Sequence, residues 1–398
     1  MKIIKTLFLI ILVIFTACKS SNKNTSTHVV VNLRNQVYQT EVTTLADEIK
    51  GVNYVPLEMT DDDASVIDGV ANFAVSDKYI YVLPAKEMRI VMFSREGKFI
   101  RNLIKSGQGP GEFTGSICSM QFDSKTNRLY LFDVQDVWIY TAEGEFIEKR
   151  HYDFMSIMTY NLSDKEIGAI SFPFTPFEQG SFGMGIFTDQ GDTITIENKM
   201  FHSSLVSKEK SGFTMDIAAC YSDYPTSILF KCGSNDTIYR LKSNGIEASS
   251  VIKLDNSDKQ IIRSLDITDF ASMGNLEDEN DIAITDMMET KNTLYLRFRY
   301  QHINHVASIN KKDQSIKVEK CEQPQDYMKL ASANLLQGMS GTKSFKNFPI
   351  WGRIENNELI QVITSYELNL YKNTSITIPS ELSKINEEEN PIFVFYKL

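Results

Sequence analysis

The sequence predicts an all-β chain folded as a ring of repeated four-stranded antiparallel sheets, and three observations carry that expectation. The first is a spacing: "SREGKFI" (94–100), "TAEGEFI" (141–147) and "TDQGDTI" (188–194) place Gly97, Gly144 and Gly191 at equal steps of 47 residues, twice over. The second is the setting of each triplet. Strand-like runs precede it ("RIVMF", "VWIY", "GMGIF") and extended runs follow it ("KFIRNLI", "EFIEKRHY", "DTITIEN"), so each reads as a tight hairpin whose glycine supplies a positive φ. The third is that two further strand runs precede each hairpin, giving four short strands per repeat. A four-stranded sheet recurring at roughly 40 to 50 residues is the signature of a blade in a β-propeller.

The elements follow in order along the chain. "MKIIKTLFLIILVIFTACKS" has Lys2 and Lys5 ahead of an apolar run from Leu7 to Phe15, then small residues before Cys18. That is a signal peptide over residues 1–17, too short for a comfortable membrane span. "FTAC" resembles a bacterial lipobox, which makes Cys18 the lipidated N-terminus. Several acyl chains there would anchor the protein stably. Residues 18–28, with the polar "KSSNKNTST", read as a flexible tether. Residues 29–398 read as a single six-bladed domain.

The first blade is expected from "VANFAVS", "KYIYVLP", "RIVMFSR" and "KFIRNLI", and the second from "SMQFD", "RLYLFD", "VWIYTA" and "EFIEKRH". Between them, "KSGQGPGEF" invites a phosphate-loop reading, which fails. Gly107, Gly109 and Gly111 are followed by Glu112 where a dinucleotide fingerprint needs its last glycine, no G-K-S/T follows, and a carboxylate there would repel phosphate. The stretch is expected instead to turn the chain from the outer strand of one blade to the inner strand of the next. "TSILFKCGSNDTIYRLKSNGIEASSVIKL", with Asn235, Asp236 and Gly245 at reversals, gives a fourth unit. "ETKNTLYLRFRYQHINHVASINKKDQSIKVEK" gives a fifth, and "PIWGRIENNELIQVITSYELNLYK" begins a sixth. The stretches beginning "SDKQIIRSLD" and "QPQDYMKLAS" are poor strand sequence and are expected to be excursions with some helix. Ring closure needs strands from both chain ends in one blade, and "HVVVNL" with "NPIFVFYKL" are the expected pair.

Composition narrows function. With 42% apolar and 23% charged residues the chain has the makings of a large core rather than of a disordered or fibrous protein. Its net charge of −10 becomes −12 once the two signal-peptide lysines are removed, which disfavours nucleic acid and anionic lipid as partners. Cys118, Cys220, Cys232 and Cys321 show no C-x-x-C spacing, so no structural zinc site or thioredoxin-like chemistry is expected. Cys220 and Cys232 could close a loop by disulfide, although two buried free thiols are favoured.

"VNYVPLEMTDDDASVIDGV", the hairpin with "GQGPGEF", "NDTIYRL" and the closing "NPIFVFYKL" together resemble the six-bladed β-propeller lipoproteins of Bacteroidota, near the TolB and NHL-type propellers in shape. The likeness covers essentially the whole mature chain. It implies a cell-envelope lipoprotein and brings no set of catalytic residues. Surface-exported lipoproteins of such bacteria usually carry acidic residues after the lipidated cysteine. Here Lys19, Ser20, Ser21, Asn22 and Lys23 follow it, so a periplasm-facing place on the outer membrane is expected.

Catalytic signals are thin. His302 and His305 form H-x-x-H, but residues three apart on a strand face opposite sides, so a polar turn is the expected reading and no metal or cofactor is assigned. Asp61, Asp62 and Asp63 lack the spacing of a calcium loop. No G-x-S-x-G elbow occurs. A binding role asks less of the sequence, because a propeller mouth gathers inter-blade loops on a rigid scaffold. Arg297, Arg299, Tyr300, Trp351 and Arg353 combine arginines and aromatics as glycan or peptide sites do. The competing reading of each is an aromatic packed between blades with a snorkelling arginine. The expectation is therefore a monomeric, non-catalytic binding or scaffold module for a glycan, peptide or protein ligand, with a metal-assisted hydrolase or lyase in the central funnel as the alternative.

Overall fold

The computed structural model describes residues 29–37, 48–105, 107–109, 111–113, 117–171, 183–197, 212–213, 217–224, 226–232, 236–255, 274–275, 280–321, 353–372 and 380–398. Six four-stranded antiparallel blades form a ring. From the inside out they are Val70–Val75, Tyr79–Pro84, Arg89–Ser94 and Phe99–Lys105; then Ser119–Asp123, Arg128–Phe132, Asp136–Thr141 and Phe146–His151; then Met158–Ser163, Glu166–Ile170, Met184–Thr188 and Thr193–Glu197. The fourth is Ile217–Asp223, Thr226–Cys232, Thr237–Lys242 and Gly245–Lys253, and the fifth is Ala283–Glu289, Thr293–Tyr300, Ile303–Asn310 and Ile316–Cys321. The sixth takes Arg353–Glu355, Glu358–Ile363 and Ile392–Lys397 from the end of the chain and Gly51–Pro56 from near its beginning.

Burial along the strands follows from this stacking. Middle strands are covered by a neighbouring blade on both faces, so "RIVMFS" and "DVWIYT" are buried over their four central residues. The outer strand "FIEKRH" stays largely exposed. The buried apolar residues fall into six clusters, one per seam between blades. Trp138 and Tyr81 lie in the seam of the first and second, and Phe93 and Phe393 in the seam of the sixth and first.

The recurring hairpin glycine is required twice over. Gly97 and Gly144 have φ of +85° and +83°, as the hairpin reading demands. A Cβ at Gly97 would also stand 2.2 Å from the Pro56 carbonyl oxygen of the sixth blade, and one at Gly144 would stand 2.0 Å from Leu103 Cδ1 of the first. Each hairpin thus presses onto the outermost strand of the preceding blade. The "GQGPGEF" turn does connect the first blade to the second. Glu112 folds back so that its carboxylate accepts the Gly109 N–H at 2.8 Å, and a Cβ at Gly107 would lie 1.9 Å from that carboxylate. Phe113 then plugs the seam, fully buried and edge-on to Trp138 at 6.4 Å.

One expectation about closure is corrected. The partner of Ile392–Lys397 is Gly51–Pro56, paired from Gly51 with Lys397 to Pro56 with Ile392. Val29–Asn32, from "HVVVNL", instead runs parallel along Gly245–Lys253 as a fifth strand of the fourth blade. Val31 is buried in the seam of the fourth and fifth blades while Val30 is exposed, and a strand that buries so little needs only the open outer edge of a blade. Residues 29–37 and 48–56 reach the fourth, fifth and sixth blades: Arg34 donates to the carbonyls of Leu254 and Asn280, and Glu48 accepts from Thr290 and Thr293 of the fifth blade. The chain ends still share one blade, so the ring closes as expected. The excursion segments fall almost wholly outside the described residues. Ser365–Lys372 forms a helix inside the sixth blade, between its second and third strands.

Candidate functional site

The six inner strands surround the axis, each presenting an open edge whose N–H and C=O groups need partners. Side chains of neighbouring inner strands supply many of them. Asn72 donates to the Cys118 carbonyl at 3.3 Å and Ser119 to the Thr159 carbonyl at 2.7 Å. Gln121 accepts the Asn161 N–H at 2.8 Å and donates back to the Asn161 carbonyl at 3.3 Å. The first three blades are thereby stitched together at the axis.

The inner strand of the sixth blade is only three residues long. Alternation sends Ile354, 2% exposed, into the seam with the fifth blade and turns Arg353 and Glu355 together toward the axis. Arg353 donates from Nη1 to the Phe73 carbonyl at 2.8 Å and from Nη2 to the Met120 carbonyl at 2.6 Å, and it pairs with Glu355 Oε1 at 2.5 Å. Its guanidinium lies over the rings of Phe73 and Tyr160 at 5.6 and 5.4 Å. One side chain of the sixth blade therefore touches the first, second and third. Nε of Arg353 is buried with no hydrogen-bond partner among the described residues.

Ionisable groups converge here with shifted protonation. Burial pushes Glu355 up to about 7, with Arg353 pulling the other way and Asp223 adding to the rise. Asp223 is also raised by burial, against the hydrogen bonds it receives from Tyr221 and from the Asn356 N–H at 2.9 Å. Burial raises Tyr160, Tyr221 and, further, the Cys220 thiol. Burial works against the Arg353 charge, but Glu355, the tyrosines and Asp223 hold its pKa above the usual value.

Two cavities flank the Arg353–Glu355 pair. Between the inner strands of the third to sixth blades lies one of about 280 Å³, lined by Tyr160, Cys220, Tyr221, Asp286, Met288 and Arg353 among others. Toward the ends of the inner strands a polar cavity of about 470 Å³ is lined by Glu355, Arg95, Ser76, Asn357 and Lys50. A separate buried cluster joins the fourth and fifth blades. Glu289 receives Arg240 at 2.7 and 3.1 Å, Lys311 at 3.0 Å and the Ser222 hydroxyl. The buried carboxylate is held by two cations and a hydroxyl, which suits a structural tie.

The candidates from sequence separate accordingly. Arg353 sits at the axis, and Arg297 approaches it through Asp286, 3.7 Å away. Arg299 is half-buried two residues further along the same strand. Tyr300, 8% exposed, is packed in the seam of the fourth and fifth blades with Arg34 over its ring at 5.4 Å. Trp351 and Cys18 lie outside the described residues. His302 takes a positive φ in the hairpin, while His305 is buried against the Phe298 ring at 4.9 Å, so the two share no ligand position. Cys220 is a free thiol. Among the described residues no three His, Cys, Asp or Glu side chains gather as a metal-binding group, and no helix is long and apolar enough to cross a membrane. Sequence reasoning missed Tyr160, Tyr221, Asp223, Asp286 and Glu355. The signals available were the i, i+2 patterns "RIE" and "YSD", which place paired polar groups on one face of a strand.

Fold and axis define a six-bladed β-propeller with a polar and aromatic central site. Within that class, the chain belongs to the family described as a domain of unknown function, DUF4934, whose model matches residues 28–397. No curated protein matches it. Among solved structures it is similar to a protein of Bacteroides fragilis NCTC 9343 that carries the name of an exported protein. The identity is 18% over 93% of this chain and 99% of that one, with a TM-score of 0.62, a likeness of fold. A member of the DUF4221 family from Bacteroides vulgatus ATCC 8482 shows 11% identity over 90% of this chain and 99% of that one, with a TM-score of 0.49.

Proposed function

We propose that this chain is a cell-envelope lipoprotein, held by lipidated Cys18 on the periplasmic side of the outer membrane, and that it works as a non-catalytic binding module. The lipobox-like "FTAC" and the polar residues 19–28 support the anchor, and the exported name of the Bacteroides fragilis protein fits that address. The observation that carries the binding role is the 280 Å³ cavity at the axis, where tyrosines, methionines and two opposite charges meet on strands of four blades. A closed ring with a shaped recess between its inner strands suits capture of a small ligand or of one end of a larger glycan, peptide or protein. Two measurements test the reading. Cys18→Ala should move the protein from the membrane fraction to the soluble one, and retention as tight as wild type would end the lipoprotein assignment. Melting the purified chain against glycans, amino acids and peptides should find a ligand that raises its stability by mass action.

The convergence of Glu355, Asp223 and Tyr221 favours a second reading, a hydrolase or lyase in which Glu355, titrating at about 7, moves a proton. Glu355→Gln separates the two. It would abolish turnover of any bound compound under the catalytic reading and leave ligand affinity in place under the binding one.

A further inference from the structure

We propose that the axial cavity binds a small, uncharged aromatic compound carrying one hydroxyl or carbonyl oxygen, which the Tyr160 hydroxyl meets. The inference rests on the binding reading above and assigns the ligand's chemical class. The lining points there by what it offers and what it withholds. Met158, Met287, Met288 and Cys220 give a soft, polarizable wall, and the rings of Tyr160 and Tyr221 stand 5.3 Å apart at 36°. Sulfur at a ring edge and tilted rings are favourable surroundings for a further aromatic ring. The ionic members are answered within the protein. Asp286 pairs with Arg297 at 3.7 Å, and Arg353 with Glu355 and with the Phe73 and Met120 carbonyls. A charge on the ligand would therefore leave water for an apolar recess that holds no counter-charge in reserve, which is costly.

Hydrogen bonding narrows the class further. The Tyr221 hydroxyl is engaged with Asp223. That of Tyr160 makes no hydrogen bond among the described residues, although the residue is only 7% exposed. Burial raises its pKa, and Arg353, Glu355 and Cys220 act on it, two of which line the same cavity. At neutral pH it therefore stays an intact O–H, able to donate to a carbonyl or to exchange a hydrogen bond with a phenol. One unengaged hydroxyl on a mostly apolar wall matches a ligand with one oxygen. A sugar or peptide would bring several donors and acceptors, for which this wall has little to offer. A volume of about 280 Å³ exceeds the roughly 150 Å³ in which an engineered apolar cavity holds benzene, so a substituted ring fits.

Calorimetric titration of the full-length chain with p-cresol and with toluene, each against a blank carrying the same detergent, tests this. It is run at pH 8, where Glu355 is mostly ionised and answers Arg353. p-Cresol should bind, and toluene, which lacks the oxygen, should bind roughly two- to tenfold more weakly. Tyr160→Phe, checked for an unchanged melt, keeps the ring under Arg353 and should erase that preference while leaving toluene where it was. Equal binding of the two compounds by the wild-type chain, a Tyr160→Phe chain that keeps the preference, or tighter binding of 4-hydroxyphenylacetate than of p-cresol overturns the proposal. If p-cresol does not bind but a glycan, amino acid or peptide does, the ligand class is wrong and the binding module stands. If no compound of any class binds, both readings fall.

Discussion

Asn390 closes the ring, and replacing it should show how much the closure depends on three hydrogen bonds. The residue is 2% exposed and stands just before the strand Ile392–Lys397. Its Oδ1 accepts the Ile67 N–H at 2.7 Å, and its Nδ2 donates to the carbonyls of Glu58 at 2.9 Å and Ser65 at 2.8 Å. Those three partners lie in the loop that leads from Gly51–Pro56 to the inner strand of the first blade, so one amide fastens the last segment of the chain to the first seam. Asn390→Leu keeps the volume and removes one acceptor and two donors. The buried Ile67 N–H then costs about 1–3 kcal/mol and the two carbonyls somewhat less each, so the expected loss is about 3–5 kcal/mol. That is a large part of a typical stability of about 5–15 kcal/mol. Unfolding entropy scales with chain length, so in a domain this long each kcal/mol moves the midpoint by only about 1–2 °C, and a fall of about 5 °C in a circular-dichroism melt is expected. Asn390→Asp keeps the acceptor but loses both donors, and should be no milder. Exposed Asn386→Leu, four residues away, serves as the control and should shift the melt by little. An Asn390→Leu protein melting within 1 °C of wild type, as about 0 kcal/mol would require, would refute the reasoning.

Valine at Gly97 or Gly144 must accept a positive φ and a collision with the preceding blade, so each substitution should cost about 2–3 kcal/mol or more; unchanged melting of both would show that the seams yield more easily than described. Glu355 makes stability depend on pH. Its folded pKa of about 7 lies above the ordinary glutamate value of 4.5, so the folded state binds the extra proton, and stability present below pH 4.5 is lost as pH rises through 7. Glu355→Gln fixes the neutral form and should therefore stabilise the protein at pH 8 by about 3 kcal/mol while changing little at pH 4.5. A Gln variant less stable than wild type at pH 8 would mean that the ion pair with Arg353 outweighs the cost of burying it.

The repeat was legible because its glycine answers to local rules. A hairpin with positive φ writes Gly97, Gly144 and Gly191 into the sequence at a fixed step, and the middle strands write unbroken apolar runs. The inner strand of the fourth blade, "IAACYSD", was passed over because its small and polar residues give no strong apolar period, although Ala218 and Cys220 pack into one seam and Ala219 and Tyr221 into the other. Closure was half legible. "NPIFVFYKL" announces a strand buried on both faces, whereas "HVVVNL" and "GVNYVP" each bury little, and nothing local says which one the last strand will choose. Tyr300 and Arg353 looked alike as aromatic and arginine candidates. Strand position divides them: Tyr300 ends the second strand of its blade, whose faces pack into seams, and Arg353 stands on the innermost strand of its blade, beside the axis.

The position of the inner strands also explains why the axis is polar at all. Each inner strand has a neighbour within its blade on one side only, so its other edge leaves backbone groups in need of partners at the axis. Asn72, Ser119, Gln121 and Arg353 meet that need, each reaching a carbonyl of the next or an opposite blade. Three of these are neutral and are used up by the stitching. Arg353 is not fully used: a guanidinium carries five N–H groups, and beyond the Phe73 and Met120 carbonyls and Glu355 its buried Nε–H has no hydrogen-bond partner among the described residues. Residues recruited to satisfy the backbone thus leave, where Arg353 is used, a buried positive charge on a side chain that borders the axial cavity. The structural requirement of the ring and the chemistry of the site have one origin, so a ligand beside Arg353 would bear on a side chain that already holds three blades in register.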